Sequence, residues 1–395
     1  MELVFDMYLV KLHEARNFYR DLSYIKMLFT FLLVSHRIRG IALNTPTLWS
    51  IVFIGQIGRY RFPNSLFLER SRNAPLKVIW RDETDDKEKE SIWHHRRRWG
   101  SLIVVSDVSF VQSCPGGLLD FPALEMLLTY ADDSSMRSYS SFRMPALKQL
   151  ILKFVIAWQH TLRDLAATLA NCKALKHLTL EVNEGEYPIH PYPSFDLPSL
   201  CSFKVKIWHH THLRTSAILQ LFRVPNLRRF SIYIHTPCDI PLDVVFDNLN
   251  FGESIQSLEF FHSYFLGDLP FSVPFQSIAR QFSNISELYI CCKKSPITEQ
   301  LRDCLMPTLL HLLALWESGD PDTQDTFVDD MLVFLANRKM HFDGQEGGYV
   351  PLRLTVDSSM NYHERLESAV ADGLVILERG SWRNCHRRRR SFLPL

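Results

Sequence analysis

Leu147-Lys148-Gln149-Leu150-Ile151-Leu152, Leu175-Lys176-His177-Leu178-Thr179-Leu180 and Leu200-Cys201-Ser202-Phe203-Lys204-Val205 share one pattern, L-x-x-L-x-L with apolar substitutes. The last two apolar residues stand two apart, so on an extended strand they face one side while their neighbours face the other. Working outward, Leu124-Glu125-Met126-Leu127 is an earlier copy, and others start at Leu227, Ile255 and Ile285. The seven starts lie 23, 28, 25, 27, 28 and 30 positions apart, and most follow a Pro or Cys by a few residues. Further copies are expected from Leu102 and Leu309.

Between copies there is room for a return segment. In Thr161 to Asn171 the leucines Leu162, Leu165 and Leu169 recur at helical spacing, and Asn171-Cys172 can end a helix. One strand with its return cannot bury its apolar face alone, so units stack side by side. The period is that of leucine-rich repeats, roughly 20 to 29 residues. The expected fold is therefore α/β, an irregular leucine-rich-repeat-like solenoid with a parallel sheet over residues 101–380. A doubly wound α/β domain also alternates strands and helices, but it does not require this signature.

Residues 1–60 lack the strand repeat; Leu3, Met7, Leu9 and Leu12 fit helical faces and predict a small helical module. Residues 61–100 read as a connecting segment, with six acids between Arg81 and Glu90 that predict a solvated loop. Residues 381–395 form a basic tail around Arg387-Arg388-Arg389-Arg390, read as solvated, as a nuclear address or as an electrostatic contact.

The 395 residues are 46% hydrophobic and 22% charged, the balance of a globular chain with a large core. Lys and Arg number 44 against 43 Asp and Glu, which leaves no global field for nucleic acid or an anionic membrane. The longest apolar run, Met27 to Val34, is far short of the roughly 20 residues of a spanning helix, so no membrane crossing is expected. Met1-Glu2 opens without a basic n-region, pointing to an intracellular protein of cytoplasm or nucleus, and the eight cysteines form no CxxC pair, so neither a zinc knuckle nor a disulfide scaffold is visible.

Signatures for phosphate loops, dinucleotides, zinc proteases and nucleophile elbows are missing, and the 15 glycines offer few close approaches to a phosphate. The expectation is a non-enzyme without cofactor or metal. His209, His210 and His212 would suit a transition metal by residue type, yet no acid or Cys lies at ligand spacing. His94 and His95 beside Arg96, Arg97 and Arg98 are a weaker case.

Strand parity assigns Lys153, Thr179, Glu181, Lys204, Lys206, Tyr233, Glu259, Phe261 and Tyr289 to the face away from the core, the concave face of such a solenoid. Aromatic residues on an exposed sheet face suit partner contact, Tyr above all because it joins area to a polar tip. Lys153, Lys204, Lys206, Tyr233, Phe261 and Tyr289 are the expected contacts to a protein partner. The alternative is that Phe261 and Tyr289 are covered by the chain itself.

Leu32-Leu33-Val34-Ser35-His36 and Ile41-Ala42-Leu43-Asn44-Thr45-Pro46-Thr47-Leu48-Trp49-Ser50 resemble the second half of the F-box motif of fungal F-box proteins. Glu2-Leu3-Val4-Phe5-Asp6-Met7 resembles the middle of its opening, and Phe67-Leu68-Glu69-Arg70-Ser71-Arg72-Asn73-Ala74-Pro75-Leu76 resembles the segment that follows the motif. The resemblance spans about the first 80 residues. Between His36 and Ile41 only Arg37-Ile38-Arg39-Gly40 stands where the family carries a longer stretch, a difference of nearly one helical turn, with Ile38 in place of the usual Trp.

The resemblance implies a substrate-recognition role in a Skp-cullin-F-box ubiquitin ligase. Leu3, Met7, Leu33, Ile38, Ile41, Pro46, Leu48 and Trp49 would then meet a Skp-type adaptor joined to a cullin scaffold, and the repeats would hold an unknown protein substrate. Two alternatives stay open: Trp49 and its neighbours form the core of their own module, or the chain is a non-catalytic interaction scaffold that no longer binds the adaptor.

Overall fold

The computed structural model describes residues 28–30, 32–55, 63–81, 86–105, 110, 114, 118–130, 133–156, 159–183, 194–207, 219–234, 249, 251–262, 271–272, 275–292, 296–297, 301–316, 321–343, 349–357 and 363–380. They fall into two compact units whose sequence boundary lies between Ile151 and Leu152.

Eight of the strands are preceded by a turn, and in five of them proline helps to set it. The N–H of Leu124, Leu147, Leu200, Leu227 and Leu309 donates to the carbonyl three residues earlier, at 3.1–3.2 Å, across Phe121-Pro122, Met144-Pro145, Leu197-Pro198, Val224-Pro225 and Met306-Pro307. Proline suits the second position of such a turn because its ring fixes φ there and that residue's N–H is not needed. Cys172, Gly252 and Phe282 accept in the same way from Leu175, Ile255 and Ile285 without a proline.

The next residue locks one repeat to the one before it. Cys201 N–H donates to the Lys176 carbonyl at 2.9 Å, Arg228 to Cys201 at 3.0 Å, Gln256 to Arg228 at 2.9 Å, Ser286 to Gln256 at 2.8 Å and Leu310 to Ser286 at 2.8 Å. Register is thus fixed before each strand begins.

Among the described residues nineteen strands follow in chain order. Thirteen lie side by side, in chain order, in one parallel sheet: β1 Ile51–Ile54, β2 Leu76–Trp80, β3 Trp99–Val104, β5 Met126–Tyr130, β7 Gln149–Ile156, β8 His177–Asn183, β10 Ser202–Ile207, β12 Arg229–Ile234, β13 Ser257–His262, β15 Glu287–Cys292, β17 His311–Trp316, β18 Leu352–Asp357 and β19 Val375–Gly380. The rest are short ladders in the returns: β4 Leu119–Asp120 with β6 Phe142–Arg143, β9 Phe195–Asp196 with β11 Phe222–Arg223, and β14 Phe271–Ser272 with β16 Pro296–Ile297. In the first two, Asp120 stands opposite Arg143 and Asp196 opposite Arg223, opposite charges that favour this register. The all-parallel order with connecting segments between successive strands is the leucine-rich-repeat-like solenoid that the periodicity predicts.

In the second unit the motif's apolar positions form continuous rows inside the sheet. Leu178, Phe203, Phe230, Leu258, Leu288, Leu312 and Leu354 register with one another and are buried. Leu180, Val205, Ile232, Phe260, Ile290, Ala314 and Val356 form the next row, also buried. Helical returns include α5 Gln159–Ala170, which covers the expected helix, α6 Phe275–Gln281, α7 Pro321–Phe342 and α8 His363–Ala371.

Buried Arg338 of α7 ties two turns together, its guanidinium donating to the carbonyls of Met306, Leu309 and Val350, with the rings of Phe342 and Tyr349 5.5 and 5.8 Å away. Asp330 on the same helix is buried and accepts from Arg302 at 2.5 and 2.8 Å.

The first unit holds α1 His36–Leu43, α2 Asn64–Ser71, α3 Asp86–His94 and α4 Asp133–Tyr139. Its sheet starts earlier than residue 101, since β1 and β2 arise from segments read as helical module and connector. Ile51-Val52-Phe53-Ile54 is a buried apolar run too short for periodicity to separate strand from helix. Part of the acidic stretch is also α3 rather than loop, because Ile92 and Trp93 near its C-terminal end are buried and hold it. Trp80, Trp93, Trp99, Phe110, Phe121, Tyr139 and Phe142 form one chain of ring contacts with centroids 5.0–6.2 Å apart.

Candidate protein-interaction faces

The F-box-like residues belong to the first unit. Ser35 caps α1 by accepting from the Ile38 N–H at 3.2 Å, and Asn44 closes it through a side-chain bond to the Gly40 carbonyl at 2.9 Å. Pro46 opens a 3-10 turn, Pro46–Trp49, that drives Leu48 and Trp49 inward. They pack with Leu28, Ala42, Ile51, Phe53 and Phe67. Trp49 is only 1% exposed; its Nε1 donates to the Ala42 carbonyl at 2.8 Å, its ring meets Phe67 edge-on at 5.2 Å, and the Arg70 guanidinium lies 5.3 Å over it.

Leu48 and Trp49, expected as contacts, are therefore core residues of their own module. The indole supplies more apolar area than any neighbour, and its one donor is satisfied inside, so burial wins. Leu33 at 84% exposure and Ile41 at 48% keep their side chains in solvent, along with Val34. Ile38 and Pro46 are half-buried. Leu3 and Met7 lie outside the described residues, as do His209, His210, His212 and the basic tail.

The sheet face away from the apolar rows is the second candidate, here within the second unit. Its registered positions run Glu181, Lys206, Tyr233, Phe261, Cys291, Leu315 in one row and Thr179, Lys204, Ser231, Glu259, Tyr289, Leu313 in the next. Of the residues that parity assigns to this face, Thr179, Glu181, Lys204, Lys206, Tyr233, Glu259, Phe261 and Tyr289 register on it, but their exposure is uneven. Tyr233, Phe261, Cys291 and Leu315 form a buried apolar cluster with Leu313 packed against it. Tyr233 and Phe261 thus do not stand free on the face; their rings lie 5.3 Å apart within that cluster. No sequence period separates an outward aromatic from a covered one; for Phe261 it is packing against Tyr233, Cys291 and Leu315 that covers the ring.

The polar residues around the cluster are organised by cross-strand and diagonal pairs. Lys206 binds Glu181, which is 4% exposed. Lys204 holds its ammonium 4.2 Å from the Tyr233 ring centre, and the Tyr233 hydroxyl donates to Glu259 at 3.0 Å. Tyr289 is half-buried, donates to Glu287 at 3.2 Å and meets the His311 ring edge-on at 5.4 Å. Burial, then the Glu287 carboxylate, pushes its hydroxyl well above the ordinary phenol range. Lys153 on β7 is half-buried.

Near the starts of β8 and β12 the positions after the motif's first leucine carry Lys176 and Arg228, both exposed, with Arg229 exposed and His177 half-buried beside them. These cations did not stand out in a sequence of balanced charge; the signal available was the basic residue that follows Leu147, Leu175 and Leu227 alike. Burial first, then Lys176 and Arg229, lowers the His177 pKa below its usual 6.5.

Among the described residues no three His, Cys, Asp or Glu side chains gather as a metal site, and no helix is long and apolar enough to cross a membrane. Burial pushes the thiols of Cys114, Cys172 and Cys304 up to about 12, well away from a reactive thiolate. A scan against protein-family models and a search of curated proteins find no match to the chain.

Proposed function

We propose that the chain is a non-catalytic substrate-recognition adaptor of a Skp-cullin-F-box type ubiquitin ligase, acting inside the cell in cytosol or nucleus. The observation that carries the reading is an F-box-like segment whose Leu33 and Ile41 side chains stay in solvent while Trp49 anchors it from within, on a chain that continues as a leucine-rich-repeat-like sheet. Exposed leucine and isoleucine on a short helical module suit insertion into a partner's apolar groove. A repeat sheet suits capture of a protein through side chains from many strands.

Co-purification of the full chain with a Skp-type adaptor tests this, beside the double variant Leu33→Asp, Ile41→Asp. The native chain is expected to retain the adaptor and the variant to lose it, with unfolding free energy unchanged to within about 0.5 kcal/mol because both sites are exposed. A folded native chain that leaves the adaptor behind would sink the reading.

The second reading, an interaction scaffold that has lost the adaptor contact, draws on a specific observation. Leu48 and Trp49 are spent on the module's own core, and Arg37-Ile38-Arg39-Gly40 is short, which removes apolar surface from the proposed contact.

A further inference from the structure

Lys173, Lys176, Arg228 and Arg229 are exposed, and no carboxylate lies within ion-pair distance of any of them among the described residues. Sequence offers no reason for this, since the whole chain carries 44 basic and 43 acidic residues. The equivalent motif position in an earlier repeat, Lys148, is neutralised by Glu125 at 2.7 Å. On the strand face Lys206 is neutralised by buried Glu181. Lys148 and Lys206 are thus matched by acids of the neighbouring repeat, whereas this group has no ion-pair partner among the described residues.

Backbone geometry places the group closely. Cys201 donates to the Lys176 carbonyl, and both Arg228 and Arg229 donate to the Cys201 carbonyl at 3.0 and 3.1 Å. Lys176 and Arg228 are thus two strands apart, about 10 Å at the usual inter-strand spacing. Arg229 stands opposite Ser202, which stands opposite His177, so the charge continues onto the strand face without an acid between. Burial first, and then Lys176 and Arg229, lower the pKa of His177 beside them.

We propose that the starts of β8, β10 and β12 form a docking surface for an acidic polypeptide segment, a run of Asp and Glu in a partner protein. Carboxylates two or three residues apart in an extended peptide are separated by about 7 to 10 Å, which fits the two-strand spacing of Lys176 and Arg228. Arginine adds bidentate bonds to a carboxylate, so the surface orients the segment as well as attracting it. The inference deepens the recruitment reading by giving the recruited protein a chemistry, and it rests on that reading only for its purpose, not for the binding itself.

The experiment measures fluorescence anisotropy of a labelled 12-residue peptide alternating Glu with Ser on the full chain at low salt. The comparison pairs Lys176→Glu, Arg228→Glu with Arg163→Glu, Lys339→Glu, two exposed cations on the helical returns α5 and α7 whose reversal changes net charge equally. The first variant is expected to bind at least about tenfold more weakly and the second within about twofold of native, with all affinity falling as salt rises. Equal losses in both variants, no binding by the native chain, or tighter binding of a DNA duplex than of the peptide would each overturn the proposal. A chain that binds the Skp-type adaptor but ignores the peptide overturns this inference alone, whereas one that binds the peptide but not the adaptor overturns only the ligase reading.

Discussion

Trp49 Nε1 donates to the carbonyl of Ala42 at 2.8 Å, joining the 3-10 turn of Pro46–Trp49 to the last turn of α1. The bond closes the F-box-like segment on itself, with the indole as its keystone. Trp49→Ala is expected to destabilise the chain by about 3–5 kcal/mol through lost contact and an unfilled cavity. Trp49→Phe keeps the ring against Phe67 but drops the hydrogen bond, and should cost about 1 kcal/mol. Urea unfolding followed by far-UV circular dichroism separates the two; a Trp49→Ala chain as stable as native would refute the placement.

Glu181 and Lys206 make the most buried ion pair of the strand face. Removing only the lysine strands a buried carboxylate, so Lys206→Met is expected to cost about 3 kcal/mol. Replacing both, Glu181→Met with Lys206→Met, should return stability to within about 1 kcal/mol of native, because desolvation of the pair offsets much of its attraction. A double-mutant cycle by thermal unfolding checks the sign of the coupling.

Arg338 presents a different balance. Its guanidinium serves the carbonyls of Met306, Leu309 and Val350, and among the described residues no acid pairs with it. Burial draws its pKa down, against the opposing pull of the Tyr349 hydroxyl. Arg338→Met is expected to lose about 2–4 kcal/mol, as the carbonyls lose their donor, and Arg338→Lys should recover little because one ammonium cannot span them. Thermal unfolding of the three chains ranks them directly.

His177 should titrate below 6.5 by NMR, since burial and the positive charges of Lys176 and Arg229 both oppose its protonation. Lys176→Glu replaces a repelling neighbour with an attracting one and should raise that pKa. A folded-state pKa below the unfolded value means the unfolded chain binds the proton more readily. The contribution of His177 to stability is then fully present above about pH 6.5 and is lost as pH falls through the folded pKa. An unchanged His177 titration in Lys176→Glu would contradict the assigned cause.

Leucine spacing made the sheet legible, because Leu178 and Leu180 or Phe203 and Val205 announce both their strand and the side they face. Phe53 announces nothing comparable: four apolar residues in a row carry no period, so β1 emerges only from packing, while in β2 the alternation of Leu76, Val78 and Trp80 with Lys77 and Ile79 is one short strand outside the repeat. On the candidate faces, parity found the right side for Tyr233 and Phe261 but not their cover, and it gave Trp49 no preference between partner and core. Pairing across strands, as in Lys206 with Glu181, joins residues 25 positions apart and leaves no local trace in the sequence.

The short bond between successive repeats, from the residue after each leading leucine to its counterpart one strand back, sets alignment at a single fixed point ahead of each strand. Whatever is inserted or deleted beyond the far end of a strand leaves that point untouched. Such a chain can change the length and composition of its returns generation after generation while the ladder stays aligned. Its architecture can therefore outlast the recognisable likeness of its sequence, and the uneven spacings of 23 to 30 residues bear the mark of that freedom.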